Sequence, residues 1–175
     1  MVEKLLGVIG GSGLYQMKGL EVIEKVTVDT PFGSPSDSII IGKLAGVKLA
    51  FLPRHGVGHV IPPSEINFRA NIFAMKKIGV ERIISVSAVG GMKENMPPGH
   101  FVVPHQFIDR TYKRISTFFT EGMVGHISMA DPVCLATAGT LFNAAQKAGA
   151  DVHEGGTYIC IEGPQFSSRA ESLLY

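Results

Sequence analysis

With 45% apolar side chains, a chain of 175 residues can close one hydrophobic core, and neither length nor composition calls for a second domain. Sixteen Lys and Arg against fifteen Asp and Glu leave a formal net charge of +1, which excludes the broad positive field that draws proteins to nucleic acid or anionic membranes. No run approaches the roughly 20 apolar residues of a membrane-spanning helix, so a soluble, cytoplasmic protein is expected and any phosphate recognition has to be local.

The apolar lead of residues 1–7 runs into a glycine turn, not into the cleavage region of a secretory signal. Residues 5–9 read as a buried strand that empties into Gly10-Gly11-Ser12-Gly13. Residues 22–28, 38–41 and 47–52 read as three further strands separated by Gly, Pro and Asp. Between Pro62-Pro63 and Gly79, the spacing of Ile66, Phe68, Ala70, Ile72, Phe73 and Met75 predicts a helix over 64–78. Residues 82–87 have the continuous apolar character of a central parallel strand and empty into Ala88-Val89-Gly90-Gly91. A strand at 101–104, an irregular stretch over 110–130 and a helix over 132–148 closed by Gly149 follow. A strand over 157–161 then breaks at Gly163-Pro164, after which Ser167 or Ser168 can cap a helix, with Glu171 placed for a capping box. Alternating strands and helices in this half predict an α/β layer fold around a largely parallel sheet. Cys134 and Cys160 lie in apolar runs without C-x-x-C spacing and read as buried free thiols.

Three strand-ending turns carry chemistry. In Gly10-Gly11-Ser12-Gly13, backbone N–H groups and the Ser12 hydroxyl can cradle an anion, although Gln16 stands where a dinucleotide fingerprint needs its third glycine. A plain tight turn is the alternative. In Leu52-Pro53-Arg54-His55-Gly56, Arg54 suits bidentate phosphate contacts and His55 can donate to an anion, with a solvated surface pair as the alternative. His55 and His59 have helical metal spacing, but Gly56 and Gly58 argue against a helix and no motif supplies a third ligand, so no metal is expected. In Ser87-Ala88-Val89-Gly90-Gly91, small residues let a ligand approach the backbone closely. Together the turns point to an oxyanion site without naming a substrate.

The ordered motifs Gly10-Gly11-Ser12-Gly13-Leu14, Asp29-Thr30-Pro31-Phe32-Gly33, Arg54-His55-Gly56, Pro63-Ser64-x-x-Asn67-x-x-Ala70-Asn71, Gln106-Phe107-Ile108-Asp109-Arg110-Thr111 and Glu162-Gly163-Pro164-x-Phe166-Ser167-Ser168-Arg169-Ala170-Glu171 resemble the trimeric purine nucleoside phosphorylase family, and within it the methylthioadenosine phosphorylases. The similarity runs over essentially the whole chain. It implies a three-layer α/β fold with a mixed, largely parallel central sheet flanked by helices, formed by residues 1–175 as a single domain that lacks the C-terminal part of the family fold. It implies phosphorolysis of 5′-methylthioadenosine to adenine and 5-methylthioribose 1-phosphate, with inorganic phosphate as co-substrate and no metal or organic cofactor.

By matching motif, Ser12, Arg54, His55, Ser87 and the backbone of Ala88 would hold phosphate, and Val89, Gly90 and Phe166 would line the nucleoside pocket. Ser167 stands where 6-oxopurine phosphorylases of the family carry Glu, which implies preference for adenine. His126 matches a histidine that reaches the 5′-substituent pocket of a neighbouring subunit, which implies a homotrimer with shared sites. His100 and His105 depart from the family, standing where relatives often have Asp. Relatives continue beyond Ser-Arg-Ala-Glu into segments that contact ribose and protonate the leaving base, so the general acid is expected in that further part. A phosphorylase of 6-oxopurine nucleosides or methylthioinosine is the alternative within the class, and an inactive nucleoside- or phosphate-binding chain is the alternative outside it.

Overall fold

The computed structural model describes residues 5–14 and 17–175. Residues 1–4 of the apolar lead, and Gln16, lie outside the described residues. The chain divides into two compact units, residues 1–88 with 115–118 and residues 89–114 with 119–175.

In the first unit β1 (Leu5–Gly10), β2 (Glu21–Val26), β3 (Ile39–Leu44), β4 (Val47–Pro53) and β5 (Val80–Val86) form one sheet in the order β2-β3-β4-β1-β5. β1 is parallel to β4 and β5, whereas β2, β3 and β4 pair antiparallel. Ala45 and Gly46, both at positive φ, make the two-residue reversal from β3 to β4, the geometry that matches strand twist. Helix α1 (Phe68–Lys77) starts four residues later than its apolar spacing predicts. Pro63–Glu65 form a separate 3-10 turn, and the Asn67 side chain caps α1 by accepting from the Ala70 N–H at 3.1 Å. Its far end closes at Gly79, whose φ of 90° few other residues adopt readily.

Ala70, Asn71, Ala74 and Met75 make the buried face of α1. Ala74 and Met75 join Ile9, Val28, Ile39, Ile41, Ala50 and Leu52 in one core cluster. Ile39, Leu52 and Met75 are fully buried, a burial worth about 1.5–3 kcal/mol for each such side chain. Strand β5, expected in the centre, stands at the edge of this sheet, with Ile83 and Val86 each 36% exposed. The continuous apolar run that suggested a central strand cannot reveal which neighbours a strand has, and here β1 and β4 hold the central positions.

In the second unit β6 (Phe101–Val103) pairs in parallel with β8 (Val152–Glu154), and β7 (Gln106–Arg110) with β9 (Thr157–Ile161). The molecule is thus an α/β protein in which most strand pairs are parallel. β7 and β8 escaped the periodicity because they are short and mix polar with apolar residues. Helix α2 (Leu135–Lys147) packs on β8 and β6, beginning at Leu135 instead of Pro132, and Cys134 at its N-cap is exposed where a buried thiol was expected. Residues 111–134 are irregular, against the 110–130 expected, because Arg110 still belongs to β7 and α2 starts late. His100 Nδ1 lies 2.9 Å from His153 Nε2 with the rings stacked, and the His105 N–H donates to the Gly156 carbonyl, so both departures from the family bind locally. Helix α3 (Arg169–Leu174) opens with the predicted capping box: Ser168 Oγ accepts from the Glu171 N–H, and Glu171 Oε2 accepts from the Ser168 N–H at 2.7 Å.

Candidate active site

The parallel register brings three strand ends side by side, since Gly10 of β1 stands opposite Pro53 of β4 and Val86 of β5. The turns carrying Gly11-Ser12, Arg54-His55 and Ser87-Ala88 therefore leave the sheet together at its carboxyl edge, where α/β sheets place ligands. The Arg54 N–H donates to the Gly10 carbonyl at 3.0 Å, tying the first two turns. The Arg54 side chain ties the third, because Nη1 donates to the Val86 carbonyl at 2.7 Å and to Ser87 Oγ at 3.0 Å. Ser87 Oγ, accepting from the guanidinium, keeps its own proton to offer an oxyanion. Against the guanidinium's remaining edge lies Gly11, where a Cβ would come within 3.2 Å of Arg54 Nη2. Glycine there lets the cation lie against the turn backbone, and exposed Ser12 follows in the 3-10 turn Ser12–Leu14.

His55 is buried, at 6% exposure. Arg54 Nε donates to His55 Nε2 at 3.0 Å, and His55 Nδ1 lies 2.9 Å from the Ile61 carbonyl. Arginine has no acceptor and a carbonyl no donor, so both contacts are satisfied together only by the neutral tautomer with its proton on Nδ1. Burial holds the imidazole below its ordinary 6.5; the Ile61 hydrogen bond opposes this, and the charges of Arg54 and His59 add to the lowering. His59 stacks on His55 with ring centroids 4.3 Å apart, on a segment that Gly56 and Gly58, both at positive φ, keep from being helical. Among the described residues, no group of three His, Cys, Asp or Glu could hold a metal ion.

The second unit holds a cleft of about 170 Å3 lined by Arg110, Tyr112, Phe166, Ser167 and Glu171, among others. Phe166 is 94% exposed and presents its ring for stacking, and Ser167 Oγ lies 2.8 Å from Ser172 Oγ. Beside them sits Glu162, which the residue chemistry alone did not single out. At 4% exposure its Oε2 accepts from the N–H groups of Tyr112 at 2.7 Å and Lys113 at 3.1 Å, and its Oε1 faces Arg114 Nε at 3.6 Å. The two backbone N–H bonds depress its carboxyl below the ordinary 4.5, Arg114 and Lys113 add to this, and desolvation opposes. A carboxylate closing an apolar strand and preceding Gly-Pro was the available signal. Val89 is exposed, Gly90 has open space where a Cβ would stand, and His126 is exposed on the irregular segment and is not among the residues lining the cleft.

A glycine turn, an anchored guanidinium and a hydroxyl thus gather at the carboxyl ends of parallel strands in an α/β protein, donors of the chemistry that suits an oxyanion. A family model described as the phosphorylase superfamily matches residues 5–175, and the chain belongs to that superfamily. It is 61% identical over 175 residues to an S-methyl-5′-thioadenosine phosphorylase from Geobacter sulfurreducens, covering 99% of this chain and 61% of the relative. A second such phosphorylase, from Koribacter versatilis, is 58% identical over 170 residues, covering 97% of this chain and 58% of the relative. Among solved structures, a methylthioadenosine phosphorylase from an antarctic soil metagenomic library superposes with a TM-score of 0.92 at 53% identity, covering 97% of this chain and 60% of that one. The Schistosoma mansoni methylthioadenosine phosphorylase in complex with adenine gives a TM-score of 0.91 at 37% identity, covering 98% and 69%. The chain thus spans about 60% of the length of the curated relatives named here.

Proposed function

We propose that this chain serves the phosphorolysis of 5′-methylthioadenosine, yielding adenine and 5-methylthioribose 1-phosphate in methionine and purine salvage. The observation that carries the reading is the Arg54 guanidinium, tied to Ser87 Oγ and lying against Gly11 at the ends of three parallel strands. Relatives 61% and 58% identical are named as phosphorylases of this nucleoside. Ser12, Arg54, Ser87 and the Ala88 N–H form the phosphate cradle, with His55 set against Arg54. Val89, Gly90 and Phe166 receive the nucleoside, with Phe166 as the stacking face for the base. Ser167, a neutral hydroxyl, sets the preference for adenine, and His126 completes the 5′ pocket of a neighbouring copy in a cytoplasmic homotrimer.

In the reaction a phosphate oxygen forms its bond to the anomeric carbon as the bond from that carbon to adenine breaks. Adenine leaves with the electron pair and takes up one proton. Positive charge develops on the sugar, so a phosphate dianion held in place both attacks and stabilises that charge, and its donors act on the barrier itself. No metal or organic cofactor enters this scheme.

Adenine release from methylthioadenosine, measured with and without inorganic phosphate, tests the reading. Release that depends on phosphate, and that is faster than release of hypoxanthine from methylthioinosine, is expected. Release indifferent to phosphate would sink the proposal, and preference for methylthioinosine would sink the role of Ser167.

A further inference from the structure

We propose that His55 is a positioning residue for Arg54: its neutral imidazole, anchored to the Ile61 carbonyl, accepts the Arg54 Nε–H and so aims the guanidinium at the oxyanion, instead of donating to the oxyanion itself. This refines the phosphate-site reading and rests on it.

His55 has two ring nitrogens, and both face partners inside the chain, at 3.0 Å for Arg54 Nε and 2.9 Å for the Ile61 carbonyl. The ring is also buried and stacked on His59. To donate from Nε2 to phosphate, the imidazole would have to give up Arg54 or take a second proton beside a guanidinium. Accepting from Nε while Nη1 is held by the Val86 carbonyl and Ser87 Oγ fixes the guanidinium plane along two of its edges. The edge carrying Nη2 is thereby left facing Gly11. A guanidinium fixed in advance loses less entropy when it captures an oxyanion.

The two assignments predict opposite responses to acid. A positioning imidazole works only while neutral, so oxyanion affinity falls as His55 takes a proton. A direct donor gains from that proton, so affinity rises. Because burial holds His55 below 6.5, the loss should appear below that pH. The titratable and charged groups facing the ring are Arg54 and His59; Asp37, whose Oδ2 accepts from the Val57 N–H, lies on the neighbouring loop. His59→Asn therefore provides the background in which the remaining nearby imidazole is His55.

Sulfate, which stays dianionic across this range, serves as the probe, with binding measured by calorimetry between pH 8 and 5. His55→Gln places an amide oxygen where Nε2 stands and restores the acceptor without a titrating group. His55→Asn keeps a donor toward Ile61 and loses the acceptor. His55→Gln should bind sulfate within about twofold of wild type with a flattened acid response, whereas His55→Asn should bind about fivefold to tenfold more weakly at pH 8, the loss of one hydrogen bond. In parallel, imidazole 15N shifts should report the Nδ1–H tautomer at pH 8 in the ligand-free protein. That measurement on wild type, together with the Gln variant, decides the matter even if the Asn variant fails to fold. An Nε2–H tautomer, equal weakening in both variants, or sulfate binding that strengthens with acid in the His59→Asn background overturns the inference alone. A wild-type chain that binds no sulfate overturns the phosphate-site reading and this inference with it.

Discussion

The guanidinium of Arg54 donates to His55 through Nε and to Val86 and Ser87 through Nη1, while Nη2 faces Gly11. A lysine ammonium carries the same charge on one flexible point and cannot reproduce that fork. Arg54→Lys should therefore lower kcat/KM for phosphate on the order of 10- to 100-fold, the range of a charge-assisted hydrogen bond lost with the charge retained. Steady-state kinetics at varied phosphate checks this, and values within twofold of wild type would show that charge alone suffices. At this scale the sequence revealed which residue types gather, because Arg54, His55, Ser87 and Ser12 each follow a strand. The division of labour between Arg54 and His55 was not legible. It depends on the Ile61 carbonyl, a backbone group in a loop that no residue type announces.

Strand ends carry a second organising group just past β9, where Glu162 gathers the Tyr112 and Lys113 N–H groups and faces Arg114, pinning residues 112–114 beside the Phe166-Ser167 loop. Removing one member of a buried charge pair leaves the other uncompensated. Gln at 162 could still accept both backbone bonds, but it would lose the charge opposite Arg114. Glu162→Gln should accordingly lower Tm by a few degrees at neutral pH. The folded carboxyls of Glu162 and Glu171 both lie below their ordinary 4.5, so their contribution is fully present above that value and is lost as pH falls through their folded values. Tm of the wild type should hold between pH 7 and 5 and drop on further acidification. The variant should show a shallower drop, and an identical acid limb in both proteins would count against Glu162. The capping box of α3 was readable because it is a local pattern of types, Ser168 and Glu171. The hub at Glu162 spans about fifty residues of chain and has no local period.

Across the whole molecule, sixteen cationic and fifteen anionic side chains nearly cancel, and the sequence shows this as plainly as the structure does. What it could not show is how the chain parts into two compact units, since neither unit is one continuous segment: residues 115–118 group with the first and 119–175 with the second. The place of β5 at a sheet edge was hidden for the same reason, because non-local pairing leaves no mark in a single apolar run. The charge balance nonetheless carries a functional consequence. On the proposed phosphorylase reading, a protein without a broad field draws little phosphate from beyond a Debye length, about 10 Å at 0.1 M salt, and capture would rest on Arg54 and the turns around it. Half-buried Arg54 and exposed Ser12 and Ser87 would act on the oxyanion at hydrogen-bond range, well inside a Debye length, where salt screens less than it does a field reaching from farther out. The KM for phosphate should thus change by less than about threefold between 20 and 200 mM sodium chloride, since only interactions reaching past a Debye length are largely screened. Rates at varied phosphate, with dianion concentration held constant across the salt series, measure it. A tenfold or greater rise in KM would mean that charges well outside the Arg54 cradle gather the oxyanion, and that the local site is not sufficient.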